Sequence, residues 1–167
     1  MDRLSNILEQ ISTWVGERVK WLTTALVLLI FVDVILRYLF AVTSAWVIEL
    51  EWHLFALIFI LGAAYALQQD QHVRVDVFYT HFSPRKKAWV NLLGTLFFLI
   101  PWCLIIIYTS YNYAENSFAV REVSADPGGL PARYLIKFSV TLGFGLLLLQ
   151  AIALSLKSIA IIIKKEV

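Results

Sequence analysis

Four long apolar stretches, separated by short polar connectors, constrain the fold of this 167-residue chain more than any other feature. A helix needs about 20 apolar residues to cross the hydrocarbon core of a bilayer. Since 60% of the chain is apolar, the surplus is too large for one small soluble core. We therefore predict an all-α integral membrane bundle of four transmembrane helices, and we exclude a soluble enzyme domain. The predicted spans cover about residues 21–39, 46–67, 88–112 and 131–163.

Residues 1–20 differ from these spans because their apolar residues recur three and four positions apart, with polar residues between them. This spacing predicts an amphipathic helix at the membrane interface, followed by a transmembrane domain over residues 21–163. The segment is not typical of a secretory signal, because the following apolar run is too long and contains Asp33 and Arg37. We expect it to remain on the mature protein.

The polar connectors carry clear signals for helix ends. Ser83 and Pro84 predict an N-cap followed by proline at the first helical position of the third span. Within that span, Pro101 removes a backbone hydrogen bond and predicts a bend. The run of aspartate, prolines and glycines at residues 126–131 predicts a turn that separates the third and fourth spans.

Lysine and arginine are unevenly divided between the two ends of the predicted bundle. Three of them, Arg121, Arg133 and Lys137, belong to one end, and Arg37 lies at the edge of the first span. The other end, which holds both chain termini, has Arg3, Arg18, Lys20, Arg74, Arg85, Lys86, Lys87, Lys157, Lys164 and Lys165. The positive-inside rule therefore predicts that the N-terminus and the C-terminus are both cytoplasmic. Because these basic residues lie beside apolar runs and the net charge is only +2, we exclude nucleic acid as a partner.

Asp33 and Arg37 are four residues apart, so they share one face of the first span and can pair with each other. Either charge alone would cost about 2.5 to 3.5 kcal/mol at a bilayer centre. One interpretation makes Asp33 the coupling carboxylate of an autonomous small transporter. The other, which we favour, is a structural pair that fixes the first span against a neighbour.

Glu49 and His53 share a face at the start of the second span. A metal site needs at least three ligands, and the sequence places no third ligand beside them. A haem-binding bundle would need axial ligands inside the membrane, and His53 is the one histidine in a predicted span. The lone Cys103 excludes an internal disulfide and a cysteine-built cluster. We predict no metal and no cofactor.

The third and fourth spans have no Asp, Glu, Lys, Arg or His within residues 88–112 or 138–156. Transport pathways usually contain such residues, facing a cavity. These spans contain instead small residues four positions apart, such as Ser139 and Gly143, which allow close helix packing. The pattern favours a scaffold or accessory subunit over an enzyme, with spans one and two contacting a larger membrane protein.

Several blocks occur in an order and spacing that resemble one known family. They are Arg37-Tyr38-Leu39-Phe40, Trp46, Glu49, Leu61-Gly62-Ala63-Ala64, His72-Val73-Arg74-Val75-Asp76 and Pro131-Ala132-Arg133-Tyr134-Leu135-Ile136-Lys137. This set resembles the small membrane subunit of tripartite ATP-independent periplasmic (TRAP) transporters, over about residues 21–150.

The resemblance implies a location in the bacterial inner membrane and three kinds of contact: a large membrane subunit that carries sodium and substrate, a periplasmic substrate-binding protein, and membrane lipid. It implies a scaffold role in the uptake of organic acids such as dicarboxylates or 2-oxo acids. The candidate residues for the large-subunit interface are Asp33, Arg37, Trp46, Glu49, Gly62, His72, Arg74 and Asp76.

The connector between the third and fourth spans mixes basic and acidic residues, which suits the docking of a soluble partner. The candidate docking residues are Arg121, Glu122 and Arg133. The alternative is that these charges belong to a hydrated loop without a partner.

Overall fold

The protein is described here by a computed structural model that covers residues 2–70 and 79–163, and every regular element in those ranges is helical. Four helical segments are long and apolar enough to cross a membrane, which confirms the predicted all-α bundle of four spans. The elements are α1 (Asp2–Phe40), α2 (Ala45–Gln68), α3 (Pro84–Gly94), a π-helical turn (Thr95–Leu99), α4 (Ile100–Ala119) and α5 (Tyr134–Ile163).

The first helix contains both the predicted interfacial segment and the first span. α1 has 39 residues and is about 58 Å long at 1.5 Å per residue, whereas a hydrocarbon core is about 30 Å thick. No helix end separates residues 2–20 from residues 21–39. The predicted interfacial segment and the first span are therefore two parts of one continuous helix.

α1 and α2 pack as an antiparallel pair joined by residues 41–44. The amide of Gln68 donates a 2.9 Å hydrogen bond to the hydroxyl of Thr13. One turn further along, a Cβ atom at Gly16 would lie 2.6 Å from the Cβ of Tyr65, so only glycine lets the tyrosine approach here. The connector between these two spans is short enough to force this arrangement.

The third span begins as the sequence predicts. The backbone N–H of Lys86 donates to the Ser83 hydroxyl at 3.4 Å, and Pro84 occupies the first turn of α3. Proline is tolerated there because the first helical N–H groups have no partner within the helix. The predicted N-cap is confirmed.

A π-helical turn precedes Pro101 in the third span. The N–H of Ile100 donates to the carbonyl of Thr95, five residues earlier, instead of four. In a regular α-helix the proline ring would clash with the carbonyl of Phe97. The wider turn relieves that crowding and lets the third span continue as far as Ala119.

α5 is the central helix of the bundle, because it packs against α1, α2, α3 and α4. Near its C-terminal end, Lys157 forms a 2.5 Å ion pair with Glu9 of α1. In its first third, the hydroxyl of Thr141 lies 2.8 Å from that of Ser110 of α4. These contacts make α5 antiparallel to both α1 and α4.

Gly143 brings α5 close to α2. A Cβ atom at this position would overlap the Ile60 side chain and lie 2.9 Å from the Ile60 carbonyl oxygen. The small residue therefore allows the close approach of backbones that its spacing from Ser139 predicts.

α2 and α4 both pack on α5, but they do not pack closely on each other. A groove with α5 as its floor is left between them. We call the end of the bundle that holds residues 41–44 and 120–133 the distal end, and residues 120–133 the distal connector. The distal half of the groove is a cavity of about 420 Å³.

Candidate functional site

Glu49 holds the distal connector against α2. It lies one turn from the start of α2, and only 3% of its surface is exposed. Its Oε2 atom accepts a 2.5 Å hydrogen bond from the backbone N–H of Leu130, and its Oε1 atom accepts one from the Ser124 hydroxyl. Both carboxylate oxygens are therefore engaged by the connector of the same chain.

The connector folds back on itself to meet Glu49. The N–H of Gly129 donates to the carbonyl of Asp126 at 2.9 Å, and the N–H of Ser124 donates to the carbonyl of Leu130 at 3.1 Å. A Cβ atom at Gly129 would overlap the Ser124 side chain and lie 2.8 Å from Glu49 Oε2. The predicted turn at residues 126–131 is confirmed, and its second glycine leaves space for the glutamate.

Glu122 ties the connector to α5. Its carboxylate forms an ion pair with the Lys137 ammonium, and its backbone carbonyl accepts a 3.0 Å hydrogen bond from the N–H of Arg133. The hydrogen bond from Lys137 holds the pKa of Glu122 below its ordinary value of 4.5. The Lys137 ammonium also lies 4.0 Å from the centre of the Tyr113 ring.

The Arg133 guanidinium lies 5.9 Å from the centre of the Trp52 ring. Within the described ranges it forms no hydrogen bond or ion pair, although the carboxylates of Glu49 and Glu122 act on it through space. Arg133 lines the cavity in the distal half of the groove. The full lining is Trp52, Ala56, Ile60, Ser110, Tyr113, Glu122, Arg133, Ile136, Lys137 and Val140.

Asp33 and Arg37 form the predicted ion pair within α1. The aspartate is buried, with 4% of its surface exposed, whereas 44% of the Arg37 side chain is exposed. Arg37 also lies in the last turn of α1, where a positive charge is favoured by the helix dipole. The charge of Asp33 is thus balanced on its own helix.

The remaining candidate interface residues are scattered. Trp46 is 48% exposed at the start of α2. Gly62 faces α1, where a Cβ atom would lie an ordinary 3.9 Å from Val19 Cγ1. His72, Arg74 and Asp76 lie outside the described residues.

The three candidate docking residues are all in the distal connector, but only Arg121 is exposed. Arg121 is exposed and has a left-handed backbone (φ 48°) just after α4. Glu122 and Arg133 instead face Lys137 and the groove. The sequence interpretation missed Ser124, Gly129 and Lys137, whose roles depend on contacts with residues distant in the chain.

The side chains of Glu49 and His53 do not point toward a common position where a metal ion could bind. His53 Nδ1 lies 2.5 Å from the backbone carbonyl oxygen of Glu49, while the Glu49 carboxylate faces the connector. In the described part of the chain, no three His, Cys, Asp or Glu side chains come close enough together to hold a metal ion.

The fold and these contacts define a small polytopic membrane protein whose buried charges mostly bind its own backbone and side chains. The chain belongs to the family described as tripartite ATP-independent periplasmic transporters, DctQ component, whose family model matches residues 26–160.

Two curated relatives agree with this assignment. Over 114 residues, the chain is 28% identical to the C4-dicarboxylate TRAP transporter small permease protein DctQ of Vibrio cholerae. Over 105 residues, it is 31% identical to a protein of Haemophilus influenzae assigned as a TRAP transporter small permease protein. The matches cover 68% and 62% of this chain, but only 48% and 64% of the respective relatives.

Proposed function

We propose that this chain is the small scaffold subunit of a TRAP transporter in the bacterial inner membrane, with no catalytic activity of its own. It binds a large membrane subunit that carries the solute, and a periplasmic protein delivers that solute. The observation that carries the proposal is the match of residues 26–160 to the DctQ family model. The Asp33–Arg37 ion pair within one helix agrees with a structural role for that carboxylate.

The environment of Glu51 supports the proposal that another subunit contacts this chain within the membrane. Its Oε1 atom is buried and has no hydrogen-bond partner among the described residues. Buried polar atoms nearly always have a partner. The Glu51 side chain as a whole is only half-buried, so a change of rotamer on assembly would bring this oxygen to a donor of another subunit. We therefore place Glu51 with the exposed side chains of Arg37 and Trp46 in the candidate large-subunit interface.

Purification of the tagged chain in mild detergent from its native membrane tests this proposal. We expect a much larger hydrophobic protein to be recovered with it, and less of that protein with Glu51→Ala. Glu115→Ala, which changes an exposed glutamate of α4, is the matched control and should leave recovery unchanged. Repeated isolation of a lone chain, or solute uptake by the chain alone in liposomes that is lost with Asp33→Asn, would contradict the proposal.

The transported solutes are organic acids, and sodium is the coupling ion in this proposal. The Vibrio cholerae relative is named for C4-dicarboxylates, so succinate is the first solute to test, followed by 2-oxo acids. Uptake by the whole complex should require both the periplasmic protein and a sodium gradient.

The distal connector is the proposed docking surface for the periplasmic protein, with Arg121 as its exposed cation. Arg121→Glu should lower uptake by the whole complex while the level of the chain in the membrane stays the same. Arg85→Glu, an exposed arginine at the opposite end of the bundle, is the matched control. If both variants transport like the wild type, the connector is a hydrated loop without a docking role.

A further inference from the structure

The cavity in the distal half of the groove has a polar end and an apolar end. Arg133, Lys137 and Glu122 line it close to the distal connector, together with the amphipathic rings of Trp52 and Tyr113. Further from the connector, Ala56 and Ile60 of α2 and Val140 of α5 line it. The helical rise places Ile60 about 12 Å deeper than Trp52.

The charges at the polar end favour an anion. Two cations and one carboxylate line the cavity, and that carboxylate is already paired with Lys137. The Glu49 carboxylate also acts on Arg133 through space, but it does not line the cavity and its oxygens accept hydrogen bonds from the connector. The Arg133 guanidinium keeps its donors free within the described residues, and it can bind a phosphate through two parallel hydrogen bonds.

The apolar end favours an acyl chain. The groove exists because α2 and α4 stand apart on α5, so it opens along its length toward the bilayer. Trp and Tyr rings are favoured at the depth of lipid headgroups, where Trp52 and Tyr113 flank the cations. A free organic acid would match the polar end but would leave the apolar walls uncovered.

We infer that this cavity binds one phospholipid from the bilayer leaflet at the distal end of the bundle. The phosphodiester accepts hydrogen bonds from Arg133 beside the Lys137 ammonium, and an acyl chain lies along Ala56, Ile60 and Val140. The bound lipid would fill the gap between α2 and α4, which the chain itself leaves open. The inference does not depend on the proposed transport role.

Native mass spectrometry of the delipidated full chain tests this site with two probes, phosphatidylglycerol and a diacylglycerol with the same acyl chains. We expect one tightly bound phosphatidylglycerol and much weaker diacylglycerol binding, because the diacylglycerol lacks the phosphate. Arg133→Gln should weaken phosphatidylglycerol binding about tenfold, as expected for the loss of hydrogen bonds between charged groups. It should leave diacylglycerol binding unchanged.

Two further variants separate the site from general effects. Arg121→Gln removes an arginine of the same connector that does not line the cavity, so its lipid binding should match the wild type. Ala56→Phe fills the apolar end without changing any charge and should also weaken phosphatidylglycerol binding. Unchanged phosphatidylglycerol binding in both Arg133→Gln and Ala56→Phe would overturn the inference. Displacement of the lipid by succinate or by inorganic phosphate would overturn it as well, because the cation would then serve a free anion.

Discussion

At the scale of single residues, the polar groups of this chain differ mainly in whether their partners are near or far in the sequence. Asp33 finds its partner four residues away, on the same helix face. Glu49 finds its partners 75 and 81 residues away, in the distal connector. Helical spacing therefore predicts the first pairing, but no local pattern predicts the second.

The Glu49 carboxylate should contribute measurably to stability. Glu49→Ala leaves the part-buried N–H of Leu130 and the part-buried Ser124 hydroxyl without their acceptor. An unsatisfied group that is fully buried costs about 1–3 kcal/mol, and these two groups should each cost part of that. We expect a lower midpoint of thermal unfolding in detergent and faster proteolysis within the distal connector. Glu115→Ala removes an exposed carboxylate and serves as the control. An unchanged midpoint and an unchanged cleavage rate would show that Glu49 does not hold the connector.

At the scale of helices, small residues set how closely the spans approach. Gly16 accommodates Tyr65 where α1 meets α2, and Gly143 accommodates Ile60 where α2 meets α5. The spacing of Gly143 from Ser139 predicts close packing of some pair of helices, but not which helix packs there. At Pro101 the sequence predicts a bend in the third span, and the structure has a π-helical turn just before the proline, which the sequence does not predict.

Gly143→Ala provides a direct test of the α2–α5 contact. The added methyl group would overlap Ile60, and such overpacking typically costs about 1–3 kcal/mol. Gly145→Ala is a matched control two residues away, where a Cβ atom meets nothing within 4 Å. We expect a lower thermal midpoint for Gly143→Ala alone. Equal midpoints for the two variants would mean that α2 and α5 can separate at little cost.

At the scale of the whole molecule, the sequence predicts the number of spans but not their arrangement. Apolar runs long enough to cross a bilayer determine four membrane-length helices, and the structure has them. The groove between α2 and α4 depends on which helices touch, and that depends on packing over the entire chain. The sequence therefore predicts Arg133 as a docking residue of the connector, but it does not predict its position in a cavity.

The central position of α5 has a consequence for biosynthesis. α5 follows the other helices in the chain, and it is the helix against which α3 and α4 pack. Until the ribosome has delivered this span to the membrane, the third span has no stable neighbour and exposes Ser110 and Thr95 without the packing they have in the finished bundle. Maturation of this protein should therefore be late and cooperative, with quality-control proteases acting on chains in which translation stops before α5.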